Sequence, residues 1–338
     1  SQPMTHTDII KEVNKKVFRP VYFLHGVEPY LIDVVSNHLA NSILDPAERE
    51  FNQTVIYGRD ANMSDLVSTL KCFPMMSNYQ VAILKEAQDI KDKDFEHLAS
   101  YIANPQQSSI LVICYKKKAG VKLQKLFEKN PAAVLVFESP EIKDATLPDW
   151  IINYLSQKKI ACTPKTAQII IGSLGKDLSK IANELDKVML NVPEGATLTM
   201  DEVEANIGIS KKYNAFELQN AIANNQKAKA LEIASYFAAN TKDNSLFAVI
   251  GLLNSFFEKL FIFMQLNNSK STAELASEMG VKPYFLDQYK KSAVHFNMKK
   301  VLDVFKLLRM YDLKAKGVDC IAPESELMRE MIYKIVHL

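Results

Sequence analysis

Five short apolar runs punctuate the first 140 residues, at 21–24, 54–57, 81–84, 110–115 and 133–137. Each is continuous and rich in β-branched and aromatic side chains, which predicts strands covered on both faces. Helical patterns lie between them. Leu31, Val35, Leu39 and Ile43 recur every four residues after Pro29, a residue suited to a first helical turn. Stretches 65–71, 94–102 and 121–129 fill the later gaps. Strands alternating with helices predict βαβ units and a parallel sheet.

The strands stop after Phe137, and Ser139 with Pro140 marks a boundary. Beyond it every pattern is helical. Residues 150–157 form one helix, Thr163 as N-cap with Pro164 opens a second, and 178–190 is a third. Thr199 and Glu202 have capping-box spacing and open a fourth, after a turn at Pro193, Glu194 and Gly195. A second shift falls between Ile209 and Asn214. Longer helices follow at 216–223, 226–239, Leu246–Leu266, Thr272–Met279, 283–292, 297–314 and 325–336. The fold class is therefore α/β plus all-α in three domains: 1–140 with the parallel sheet, 141–209 small and helical, 210–338 larger and helical.

Length and composition agree with this. The 338 residues predict two or three domains at roughly 150 residues each. With 48% hydrophobic and 24% charged residues the chain is ordinary globular protein. Lys plus Arg is 41 and Asp plus Glu is 39, a net of +2, which excludes a histone-like basic protein and an acidic disordered one. The sum hides an asymmetry. Residues 1–150 carry 17 basic and 19 acidic side chains (net −2), whereas 282–316 carries 9 basic and 3 acidic (net +6). Attraction for phosphate is expected near the C-terminus. Cys72, Cys114, Cys162 and Cys320 form no metal-binding spacing, Cys114 reads as core, and the pattern suits a reducing cytoplasm. The first twenty residues contain no apolar signal core. Leu246–Leu266 imitates a membrane span, but Glu258 and Lys259 sit within it, and a buried lysine costs about 2.5–3.5 kcal/mol in lipid. It reads as a core helix of a soluble protein, with no membrane partner.

The chemistry of catalysis is missing. The loop after the first strand reads His25, Gly26, Val27, Glu28, Pro29, Tyr30, Leu31. A phosphate loop needs several glycines and a Lys-Ser/Thr pair. Here one glycine is present, the pair is absent, and Glu28 puts negative charge where phosphate would sit. No ATP hydrolysis is predicted there. The six histidines show no metalloprotease spacing and no Gly-x-Ser-x-Gly partner. No catalytic residue, cofactor or metal is expected.

What remains are contact surfaces. Phe73, Pro74, Met75 and Met76 lie in a loop before the third strand, after a helix that Pro74 ends. The methionines either tuck under the sheet edge or form an exposed apolar knob for a partner's pocket, where thioethers repack well. The second surface is basic. Lys299, Asp303, Lys306, Met310 and Lys314 share one helix face, and Lys290 and Lys291 lie just before it. This is either a solvated face or a contact for a phosphate backbone. The triple lysine at 116–118 reads as a polar strand end. Residues 273–286 imitate a helix-turn-helix, with Gly280 in the turn, but Pro283, Tyr284, Phe285 and Leu286 suit packing better than base edges.

In order along the chain, these strings resemble the delta subunit family of the bacterial DNA polymerase III clamp loader. Residues 21–31 look like its first strand and degenerate nucleotide loop, and 73–81 like its clamp-binding loop. Gly175, Lys176, Asp177 and Leu178, then 183–187, are similar to its small-domain signature. Residues 214–218 are similar to the start of its third domain, and 312–314 to a late helix there. The resemblance implies an AAA+-like α/β clamp-binding domain with a degenerate nucleotide loop, a helical lid and a helical collar for oligomerisation. It implies a non-ATPase, non-catalytic subunit of a DNA-directed DNA polymerase holoenzyme, a nucleotidyltransferase complex. Such a subunit joins loader ATPase and delta-prime-type subunits through the collar, meets primed DNA weakly, and opens the sliding clamp with a hydrophobic pair. That pair falls on Met75 and Met76, where leucine or phenylalanine is commoner, and the resemblance favours exposure of the two at least in the clamp-bound state, leaving the free protein open. The alternative reading is a helix-turn-helix DNA-binding regulator.

Overall fold

The five apolar runs are the five strands of one sheet: β1 (Val21–Gly26), β2 (Gln53–Tyr57), β3 (Gln80–Lys85), β4 (Ser109–Tyr115) and β5 (Val134–Ser139). Every neighbouring pair is parallel, in the order β2-β3-β4-β1-β5. The computed structural model describes residues 2–338, and the chain divides into two units, Ser1–Ile142 and Lys143–Leu338. In the first, six helices surround the sheet: α1 (His6–Asn14), α2 (Pro29–Ser42), α3 (Pro46–Asn52), α4 (Met63–Leu70), α5 (Ala99–Ala103) and α6 (Val121–Glu128).

The period-2 alternation of strand side chains sorts the apolar residues onto two faces. Val21, Phe23, Leu111 and Ile113 pack with Met63, Leu66 and Leu70 of α4 and with Leu123, Leu126 and Phe127 of α6. The Phe23 and Phe127 rings stack at 4.0 Å. On the other face Tyr22, Leu24, Val112 and Cys114 pack with Ile9 and Val13 of α1 and with Leu31, Ile32, Val35 and Leu39 of α2. The continuous apolar runs of β1 and β4 are explained by this double coverage: every residue of both strands is buried.

β2 departs from expectation. It is an edge strand pairing only with β3, and Val55 and Tyr57 are exposed. Its apolar run signals β propensity and not two covered faces, because edge position is a property of strand order. Two further differences have local causes. The stretch expected as a helix at 94–102 is a 3-10 segment, Asp92–Leu98, before the short α5. Helices α1 and α3 carry too few apolar positions to stand out by periodicity, burying Ile9 and Val13 in one and Asn52 alone in the other.

The second unit is helical: α7 (Leu147–Ser156), α8 (Pro164–Leu174), α9 (Leu178–Asn191), α10 (Met200–Ile207), α11 (Ala215–Ala223), α12 (Lys227–Ala239), α13 (Leu246–Leu266), α14 (Thr272–Met279), α15 (Leu286–Ala293), α16 (Met298–Ala315) and α17 (Glu324–Val336). The caps read from sequence are made. Thr163 accepts from Thr166 N–H, and Thr199 forms a reciprocal box with Glu202. One hydrophobic cluster runs from Leu218 to Val336 with α13 within it. Leu246, Val249, Leu253, Phe257, Leu260 and Phe263 of α13 are buried at three- and four-residue spacing. This helix is long and apolar enough to cross a membrane. That buried stripe is instead the packing face of a core helix.

Candidate partner interface

Two places in the first unit carry the candidate chemistry. The first is the loop between β1 and α2, where an α/β protein of this topology would hold phosphate. Gly26 is at φ +135°, and an added Cβ would lie 2.2 Å from the Ser139 carbonyl oxygen. Glu28 is the N-cap of α2, and its carboxylate accepts from Tyr30 N–H at 3.0 Å. A carboxylate of the protein itself thus answers the positive end of the helix dipole that phosphate would use. Ser139 Oγ donates to the Glu28 carbonyl at 2.6 Å, tying the loop to β5. His25 is buried and its Nδ1 accepts from Ala119 N–H at 3.1 Å. Burial lowers its pKa, with Glu138 opposing and Lys118 assisting that shift. Two of the three lysines are paired at this strand end: Lys116 with Asp33 and Glu86 at 3.1 and 3.2 Å, and Lys118 with Glu138 at 3.2 Å.

The second place is the segment from Phe73 to Tyr79. Phe73 is 77% exposed, Met75 65% and Met76 fully, with Pro74 half-buried. The methionines do not tuck under the sheet edge. They are held outward because the backbone is anchored from beneath. Asn52, the last residue of α3, donates from Nδ2 to the Met75 carbonyl at 2.9 Å and accepts from Met75 N–H at 2.7 Å. Ser77 Oγ donates to Glu48 Oε2. At the base of the loop, Gln80 Nε2 shares its two N–H groups among the carbonyls of Thr69 and Cys72 and Ser109 Oγ, at 2.9, 2.5 and 2.8 Å. Tyr79 meets Phe18 edge-on at 5.4 Å. Met76 takes a left-handed conformation, φ 52°, which puts the tip of the loop at that residue. Phe51 on α3 is also exposed. Sequence reasoning missed it and Asn52, since neither the exposure of one aromatic nor a partner 23 residues away has a local signature.

The basic helix forms as expected, with Val301, Val304, Leu308 and Tyr311 buried. Its lysines differ in availability. Lys290, Lys291, Lys299 and Lys306 are exposed, with Lys291 paired to Asp287 at 2.9 Å and Lys306 near Asp303 at 3.9 Å. Lys314 is half-buried, its Nζ 5.1 Å from the centre of the Tyr311 ring, and Lys334 of α17 lies 5.4 Å from the same ring. Lys314 therefore has a packing role in the junction of α16 and α17. In the helix-turn-helix mimic, Gly280 ends α14 in a left-handed cap, as the turn requires. Lys282 Nζ and the Tyr284 hydroxyl both reach the Asp149 carboxylate of α7, at 3.2 Å each. A regulator would keep such side chains for base edges.

The family model for the DNA polymerase III delta subunit matches residues 22–139, and the model for the C-terminal domain of that delta subunit matches residues 212–326. The chain belongs to the DNA polymerase III delta subunit family. The exposed loop lies inside the first matched segment and the basic helix inside the second. The chain is 23% identical over 234 residues to DNA polymerase III subunit delta of Bacillus subtilis (strain 168), covering 67% of each. The solved structure of the Bacillus subtilis DNA clamp loader delta protein is similar with a TM-score of 0.60 at 20% identity, over 99% of this chain and 100% of that one. At that identity the likeness speaks for the fold, an α/β unit followed by helices, as the sequence implied.

Proposed function

We propose that this delta-family chain is a non-catalytic subunit of a replicative clamp loader, acting in the cytoplasm on a ring-shaped sliding clamp. The observation that carries the reading is the pinned loop with its exposed apolar side chains. Solvent-facing Phe73, Met75 and Met76 on an anchored backbone are what a pocket-filling knob requires. Burying each methionine contributes about 1.5–3 kcal/mol. That energy opens a ring only in so far as the contacts are stronger with the open form than with the closed one. The missing Lys-Ser/Thr pair and the Glu28 carboxylate at α2 support a subunit that leaves ATP to its partners. In this proposal 141–209 is a lid and 210–338 a collar that docks loader ATPase and delta-prime-type subunits. Lys290, Lys291, Lys299 and Lys306 supply a weak, salt-sensitive attraction for primed DNA. Lys314 belongs to that surface only through its half-exposed flank.

The test is binding to the sliding clamp of the same organism. Met75→Asp combined with Met76→Asp is expected to abolish binding while leaving the circular-dichroism melt almost unchanged. A large fall in melting temperature would show the pair to be structural, and undiminished binding would place the clamp contact elsewhere.

A further inference from the structure

Asn52 is a buried polar residue, 6% exposed, at the end of a short helix that packs little else. Both of its N–H groups and its oxygen are bonded. Nδ2 donates to the Glu48 carbonyl of its own helix at 3.1 Å and to the Met75 carbonyl at 2.9 Å, and Oδ1 accepts from Met75 N–H at 2.7 Å. The side chain thus pairs with Met75 as a neighbouring strand would. One turn earlier, the Glu48 carboxylate accepts from Asp45 N–H at 3.3 Å and from the Ser77 hydroxyl. These bonds hold its pKa below the usual carboxylate value, with Ser77 the largest cause. The residues on both sides of Met76 are therefore fastened to α3, and the left-handed Met76 stands between two fixed points.

We propose that Asn52 and Glu48 are positioning residues for partner binding: they hold the Phe73–Met76 loop in its docking conformation before the partner arrives. The inference rests on the proposed clamp contact and adds its mechanism. Ordering a loop costs about 1–2 kcal/mol per residue, and a loop already ordered does not incur that cost on binding. Without the clip the competent conformation is only a fraction of the free population, and the apparent Kd rises by the inverse of that fraction.

The experiment compares clamp-binding kinetics of the full chain with those of Asn52→Ala, Glu48→Ala and Glu48→Gln, alongside the melting temperature of each. Asn52→Ala is expected to bind about tenfold more weakly, mainly through slower association, which is about 1.4 kcal/mol. Glu48→Gln keeps an acceptor for Ser77 and is expected to restore most of what Glu48→Ala loses. In a double-mutant cycle, Asn52→Ala is expected to cost little once Met75→Ala has removed the side chain it positions. Additive losses in that cycle would overturn the positioning role. So would wild-type affinity in both Asn52→Ala and Glu48→Ala while the Met75, Met76 double substitution still abolishes binding, and then the clamp contact itself stands. If the wild-type chain does not bind the clamp at all, the proposed function fails first. Should Asn52→Ala melt well below the wild type, the Glu48 pair decides the question, since Glu48 is half-exposed.

Discussion

At the first βα junction Glu28 occupies the helix N-terminus that a phosphate loop would use. Its side chain caps α2 and adds negative charge where phosphate would need to sit. Nearby, His25 shows how burial fixes a protonation state. Its Nδ1 must be unprotonated to accept from Ala119 N–H, so the neutral ring is the one that fits. Its pKa lies below the ordinary 6.5, so the unfolded chain takes up a proton at a pH where the folded chain does not. The contribution of His25 is thus fully present above pH 6.5 and is lost as the pH falls from there toward the depressed folded value. Denaturant titrations across that interval are expected to show stability falling with pH in the wild type, and less steeply in His25→Gln. Equal slopes would mean that another group titrates there.

At the scale of elements, sequence signals were most legible where their cause is local. The capping box that opens α10 is such a case. Thr199 Oγ1 accepts from Glu202 N–H at 3.3 Å, and Glu202 Oε2 accepts from Thr199 N–H at 2.9 Å. Thr199→Ala is expected to cost about 1 kcal/mol, read as a shift in denaturant midpoint with an unchanged slope. The 3.6-residue period of α2 and the three-to-four spacing of α13 were equally readable, because each helix has one extensive apolar face. The exposed edge strand β2, the 3-10 segment at Asp92–Leu98 and the short α3 were not. For β2 and α3 the deciding partner lies elsewhere in the chain. α3 is held to the loop by Asn52 and Glu48, bonds that span 23 and 29 residues.

At the scale of the molecule, the two units have cores of different kind. The first is a sheet with apolar residues on both faces, and the second is helical, its C-terminal part a cluster built around α13. Phe257 has no exposed surface and meets Phe256 and Phe296 edge-on, at 5.3 and 5.1 Å. Phe257→Ala is expected to cost about 3–5 kcal/mol through lost burial and the cavity left behind. Hydrogen exchange should locate that loss in α11 to α17, and a loss confined to the β-strand amides would contradict the assignment of α13 to that core.

The sequence alone determined the parallel α/β unit, the switch to helices after β5 and the lack of a Lys-Ser/Thr pair in the loop after β1. These depend on periodicity, caps and the chemistry of a few adjacent residues, all of which act over short separations. It also located the apolar loop and the basic helix, but left open whether Met75 and Met76 face solvent and which lysines are free. Tertiary structure decided both. Exposure in a loop depends on what anchors the backbone beneath it, here the Asn52 amide, and the availability of Lys314 depends on the Tyr311 ring beside it. Neither partner is fixed by local pattern, because the chain must fold before they meet.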